Sequence, residues 1–195
     1  MQPKSTYITP EAYLALDREA DIKYQYCAGE IFAMGGASEE HNLIVTNLIR
    51  ELSLQLKERP CKVYPSDMRV KVNPTGLYTY PDVTVVCGEA RFDDEKFDTL
   101  LNPTILFEVL SESTSDYDRG GKFGHYRKLA SLQEYVLVDQ ERVYAEHHTR
   151  QPDNRWLLAE TDDANDTIFL ESIDCQLALT DVYHKITLDA ASPPR

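Results

Sequence analysis

Pro81-Asp82-Val83-Thr84-Val85-Val86-Cys87 and, beyond an acid-rich loop, Thr104-Ile105-Leu106-Phe107-Glu108-Val109-Leu110-Ser111 decide the reading of this chain. Each is a short β-branched, apolar run with the composition of a buried strand, and each carries one carboxylate. A carboxylate set among Ile, Leu, Phe and Val requires a metal, a cation or several hydrogen bonds to offset its desolvation. Glu108 therefore asks for a partner. A divalent cation held between two neighbouring strands would serve Glu108 and Asp82 together, because hard cations take carboxylate and carbonyl oxygens. Side chains alternate along a strand, so Glu108 is expected beside Leu106 and Leu110, with Ile105, Phe107 and Val109 on the opposite face.

Working outward, Thr9-Pro10-Glu11 has the chemistry of a helix start and predicts a helix to about Ala20. Residues 23–27 and 31–34 flank Ala28-Gly29-Glu30 as a hairpin. From His41 to Lys57, Ile44, Val45, Leu48, Ile49, Leu52 and Leu56 recur at helical spacing. Strands follow at 62–64 and 68–72, then the turn Asn73-Pro74-Thr75-Gly76, the two carboxylate strands, a helix from about Asp118 to Leu129 and a strand at 134–139. This is an α/β (α+β) pattern whose core runs helix, three strands, helix, strand over about residues 22–140. The segments 142–149, 155–160 and 167–171 and an apolar piece through Ile186 are expected to extend the sheet with antiparallel strands over 141–188, leaving a frayed tail at 189–195. At 195 residues the chain suits one domain.

The ordered string Gly29-Glu30-Ile31-Phe32-Ala33-Met34, Ala37-Ser38, His41-Asn42, Pro81-Asp82-Val83, Glu108-Val109-Leu110-Ser111, Asp118-Arg119-Gly120-Gly121-Lys122-Phe123, Tyr126 and Glu134-Tyr135-Val136-Leu137-Val138-Asp139 resembles the Uma2 family (DUF820). These are restriction-endonuclease-like proteins of the PD-(D/E)XK nuclease superfamily. The resemblance runs from about Tyr7 to Tyr183. It implies the restriction-endonuclease-like fold and a Mg²⁺ (or Mn²⁺)-dependent endonuclease acting on DNA, with Asp82, Glu108 and the Val109 backbone carbonyl as metal ligands. The general nuclease pattern places Lys two residues after the Glu, where this chain has Leu110. Lys122, on the first turn of the next predicted helix, is the substitute, since its four-carbon stem can reach back over the strand end. A solvated Lys122 is the competing reading.

Three further residues are secondary candidates. His41 either touches a metal-bound water or phosphate, or hydrogen-bonds a loop; Glu30 is an outer carboxylate or, preferably, a turn residue; Tyr126 shares the face of Lys122 and positions it or packs on the sheet. Gln25 stands where similar sequences more often carry Glu, and Asp67 reads as a strand-start acid, with metal contact as the lesser alternative. His147 and His148 are adjacent on a strand, point to opposite faces and cannot jointly hold one ion. Gly120-Gly121-Lys122 lacks the glycine spacing and Ser/Thr of a phosphate-binding loop.

Net charge of −13 opposes a nucleic-acid partner, since affinity for phosphate backbones comes from Lys and Arg. Either Arg69, Lys71, Arg119, Lys122, Arg127 and Lys128 converge into a basic groove, or they are scattered solvated charges. The second case fits a different class of function, a catalytically inactive nuclease-fold binding or assembly module. A homodimer suits either class. No apolar run is long enough to span a membrane and the N-terminal residues lack a secretory core, so no membrane association and a cytoplasmic setting are expected. Cys27, Cys61, Cys87 and Cys175 are widely spaced and read as buried, reduced thiols.

Overall fold

A computed structural model describes residues 7–188, so the expected frayed tail at 189–195 lies outside the described residues. In chain order the elements are α1 (Pro10–Glu19), β1 (Tyr24–Cys27), β2 (Glu30–Ala33), α2 (Glu39–Gln55), β3 (Cys61–Pro65), β4 (Arg69–Val72), β5 (Leu77–Thr79), β6 (Val83–Cys87), β7 (Thr99–Leu100) and β8 (Ile105–Leu110). Then come α3 (Ser115–Tyr117), a π-helical turn (Asp118–Lys122), α4 (Phe123–Tyr126), β9 (Glu134–Asp139), β10 (Ala145–Arg150), β11 (Trp156–Thr161), β12 (Thr167–Leu170), β13 (Cys175–Ala178) and α5 (Leu179–Val182).

Local chemistry accounts for the element ends. Thr9 caps α1 by accepting the Ala12 N–H, and Pro10 fills the first helical position, where no backbone N–H is needed. Ser38 caps α2 through the His41 N–H at 3.1 Å and so sets where His41 emerges. The turn between β1 and β2 has positive φ at both Ala28 (51°) and Gly29 (92°), as a two-residue hairpin turn requires.

The central sheet has the order β11-β10-β9-β8-β6-β3, with β8 and β9 parallel and its other pairs antiparallel. One face carries Ile105, Phe107 and Val109 against Ile44, Leu48 and Leu52 of α2, with β12, β13 and α5 completing that layer. The other carries Leu106, Leu110, Tyr135 and Leu137 against Tyr126 and against Val70, Leu77 and Leu100 of a second sheet, ordered β2-β1-β5-β4-β7. The expected alternation along β8 is therefore realised. α1 closes the outer side of the second sheet, where Tyr13 packs on Tyr26 and Tyr78.

Four expectations are corrected. β5 and β7 went unread, because three- and two-residue strands leave almost no periodic signal. β10 and β11 extend the central sheet, but β12 and β13 form their own two-stranded sheet and the last apolar piece turns into α5, covering α2 instead of lengthening the edge. The single helix expected from about Asp118 to Leu129 is instead the π turn followed by α4, ending at Tyr126, with α3 directly before it. Cys61 and Cys87 are not free thiols. They face each other in the β3–β6 register and form a disulfide, a pairing set by strand neighbours 26 residues apart, while Cys27 and Cys175 remain free.

Candidate active site

Asp82 precedes β6, and β6 pairs with β8 in the register Val83↔Phe107. Continuing that register sets Pro81 opposite Val109. Proline has no N–H to offer the Val109 carbonyl, so the ladder stops there. The Asp82 carboxylate takes over one strand contact, accepting the Val109 N–H through Oδ2 at 2.7 Å. N–H and C=O of one strand residue point the same way, so the Val109 carbonyl faces the Asp82 side. Its availability as a ligand thus follows from the proline beside the aspartate.

Glu108 is 2% exposed in the middle of β8. Its Oε1 accepts the Tyr126 hydroxyl at 2.7 Å, and its Oε2 lies 3.0 Å from Lys122 Nζ. Lys122 is likewise buried, and its ammonium sits 3.0 Å from Asp118 Oδ1 as well. Burial pushes the Glu108 carboxyl up to about 8, against the pull of Lys122 and with the help of Asp118 and Asp82. Burial also lowers the Lys122 ammonium, but Glu108 and Asp118 outweigh it and hold its pKa above the ordinary lysine value. Two acids, Glu108 and Asp118, thus flank one ammonium, with Asp82 near enough to act on it electrostatically.

His41, at the start of α2, reaches Asp82 Oδ2 with Nε2 at 3.2 Å. Its Nδ1 is buried with no hydrogen-bonding partner among the described residues. These groups open on a cleft of about 1100 Å³ between the β1–β2 hairpin, the loop after it and the central sheet. Gln25 lines the cleft, but is spent on structure: its amide donates to Tyr117 Oη at 2.7 Å and its carbonyl accepts from Thr79.

The structure brings together Asp82, Glu108, Val109, Lys122, His41 and Tyr126, all from the sequence reading. Lys122 is not the solvated residue of the competing reading. Glu30 stays outside: it is exposed on β2 and lines no part of the cleft, because the hairpin turn carries it away. Asp67 is an exposed partner of Lys23 at 2.6 Å. His147 and His148 do diverge, the first meeting Glu134 and the second packing on Phe123.

The basic groove does not form. Arg69 is buried against Asp17 and Asp98, Lys71 pairs with Asp93 and Arg119 with Glu146, while Arg127 and Lys128 stay exposed outside the cleft lining. Only Lys122 of that set reaches the cleft: Arg69, Lys71 and Arg119 are held by acids, and Arg127 and Lys128 lie outside its lining. Asp118 was missed as a site residue. Its spacing of four from Lys122 was the available signal, but the irregular turn carrying both was hidden.

A mixed sheet packed on a long helix, with one carboxylate just before a strand, one inside its neighbour and a lysine from the next crossover, defines the class: a restriction-endonuclease-like fold. The chain belongs to the Uma2 family, described as "Putative restriction endonuclease", which residues 10–180 match. It is similar to two proteins of Synechocystis sp. (strain ATCC 27184 / PCC 6803 / Kazusa). "Uncharacterized protein sll1609" is 39% identical over 78% of this chain and 86% of its own length. "Uncharacterized protein slr1290" is 35% identical over 90% of this chain and 91% of its own. The fold matches the crystal structure of "a putative nuclease belonging to DUF820 from Anabaena variabilis ATCC 29413", with TM-score 0.73, 18% identity and coverage of 90% of this chain and 97% of that one. No helix among the described residues is long and apolar enough to cross a membrane.

Proposed function

We propose that this protein is a divalent-metal-dependent endonuclease that hydrolyses phosphodiester bonds in DNA. The observation that carries the reading is the meeting of Asp82, Glu108 and Lys122 on one cleft wall. The donor set fits Mg²⁺ or Mn²⁺. Asp82 Oδ1 has no hydrogen-bonding partner among the described residues, the Val109 carbonyl faces the same side, and three acidic side chains stand near one ammonium, a donor set that favours a hard cation. Among the described residues no group of three or more His, Cys, Asp or Glu is arranged to hold an ion; with two carboxylates and a carbonyl from the protein, water would fill the remaining positions of such a cation.

Asp82, Glu108 and the Val109 carbonyl would hold the cation, which when bound lowers the pKa of water and offsets charge on a phosphoryl oxygen. The Val109 N–H and His41 Nε2 fix Asp82 Oδ2, which leaves Oδ1 for the ligand. Tyr126 fixes the other carboxylate from behind. Lys122, once released from Glu108, would donate to the scissile phosphate and favour the charge that develops there as the water oxygen bonds phosphorus, its proton passing to solvent, and the P–O bond to the leaving group breaks, that oxygen taking a proton from a second water. A two-fold dimer would present two such clefts to the strands of a duplex.

One observation favours a binding or assembly module instead. The cleft lining holds Asp21, Asp82, Glu108 and Asp118 against only two lysines, Lys23 and Lys122, which gives a phosphate backbone little to grip. Calorimetric titration of Mg²⁺ and Mn²⁺ into wild type and Glu108→Ala, with plasmid cleavage on the same samples, separates the two. Metal binding and cleavage in wild type, both lost in the variant, support the nuclease. Absence of both in folded wild type supports the module.

A further inference from the structure

We infer that Asp118 is a positioning residue that keeps Lys122 off Glu108 when a divalent cation binds; the inference rests on the nuclease reading. Both oxygens of Glu108 are engaged in the structure, Oε1 with Tyr126 and Oε2 with Lys122. A cation that takes Glu108 must therefore displace the ammonium, and a buried ammonium without a counter-charge is costly. Asp118 supplies that counter-charge. It is 2% exposed, and its carboxylate lies 3.0 Å from Nζ, the same distance as Glu108 Oε2. The ammonium can thus move wholly onto Asp118 without leaving the cleft wall.

The backbone is built to hold Asp118 in that place. It opens the π turn that Lys122 closes, and turns of this kind, rare in helices, recur at functional sites. Tyr135 donates its hydroxyl to the Asp118 carbonyl at 3.1 Å, and Arg119 next door is held by Glu146 at 2.6 Å. Tyr117, on the other side, is tied to Gln25. The backbone at Asp118 is therefore anchored on both flanks, while its buried Oδ1 has no hydrogen-bonding partner and only the Lys122 ammonium as an ion-pair partner among the described residues.

The test is Mn²⁺ affinity by titration calorimetry at one pH, for wild type and Asp118→Asn, each with and without Lys122→Met. Groups behind metal ligands commonly set affinity by about 10–100-fold. Asp118→Asn should weaken Mn²⁺ by about tenfold where Lys122 is present, because the ammonium then falls back on Glu108, and by less than about threefold in the Lys122→Met background. An equal loss in both backgrounds would mean that Asp118 acts on the cation directly, and would overturn the inference while leaving the metal site standing. Asp118→Glu, which keeps the charge, should stay within about threefold of wild type; a loss matching Asp118→Asn also overturns it. No Mn²⁺ binding by folded wild type, with no cleavage, takes down the nuclease reading itself.

Discussion

Replacing Glu108 by Gln should stabilise the metal-free protein near pH 8 and flatten its stability against pH. Burial raises the Glu108 carboxyl from 4.5 to about 8. Between those values the folded state holds a proton that the unfolded state has released, so stability falls as pH rises through the window, by up to about 1.4 kcal/mol per pH unit. Integrated to pH 8, the upper bound is about 5 kcal/mol. Glutamine keeps an acceptor for Tyr126 but has one oxygen where the carboxyl has two, so its amide NH2 faces Lys122, which returns part of the gain. A net stabilisation of about 2 kcal/mol remains, or roughly 4–8 °C in melting temperature for a chain of this size. Lys122 does not tilt the same window, because its raised pKa acts only above the ordinary lysine value. Urea melts in EDTA at several pH values between about 5 and 8 measure both the offset and the slope. The variant and wild type should converge near pH 5. Parallel curves, or a variant less stable at pH 8, would refute the claim that burial of the Glu108 carboxyl outweighs the pull of Lys122 on it.

Opening the Cys61–Cys87 disulfide with reductant, or by Cys61→Ser with Cys87→Ser, should cost about 3.5 kcal/mol from the loop of 26 residues it closes, read as a lower urea midpoint. Gly121→Ala would set a Cβ 2.4 Å from the Tyr117 ring, forcing Tyr117 off Gln25; expect about 1–3 kcal/mol of destabilisation and reduced cleavage, with unchanged cleavage counting against the π turn's role. Duplex binding by an Asp82→Asn variant should depend weakly on salt, since Lys23 and Lys122 are the lysines of the cleft lining. A slope of log K against log salt near −2 fits, whereas one steeper than about −5 places the binding surface elsewhere.

What sequence alone determined is what repeats locally. Helix and strand periods placed Ile44, Leu48 and Leu52 on one stripe of α2, and set Glu108 with Leu106 and Leu110 against Ile105, Phe107 and Val109. A carboxylate inside an apolar run likewise announces its own desolvation, which is why Asp82 and Glu108 could be read before any contact was known. Tertiary structure decided the pairings between residues far apart in the chain. Arg69 meets Asp17 across 52 residues and Cys61 meets Cys87 across 26, and neither choice leaves a local trace. The same holds for the basic groove: Arg69, Lys71 and Arg119 were visible as cations, but the acids that neutralise them, Asp17, Asp93 and Glu146, lie far away in the chain. Lys122 could be named from its reach, yet its burial between Glu108 and Asp118 depends on the π turn that the crossover adopts over β8 and β9. Periodicity records which face a side chain takes; packing among elements far apart in sequence selects what that face meets.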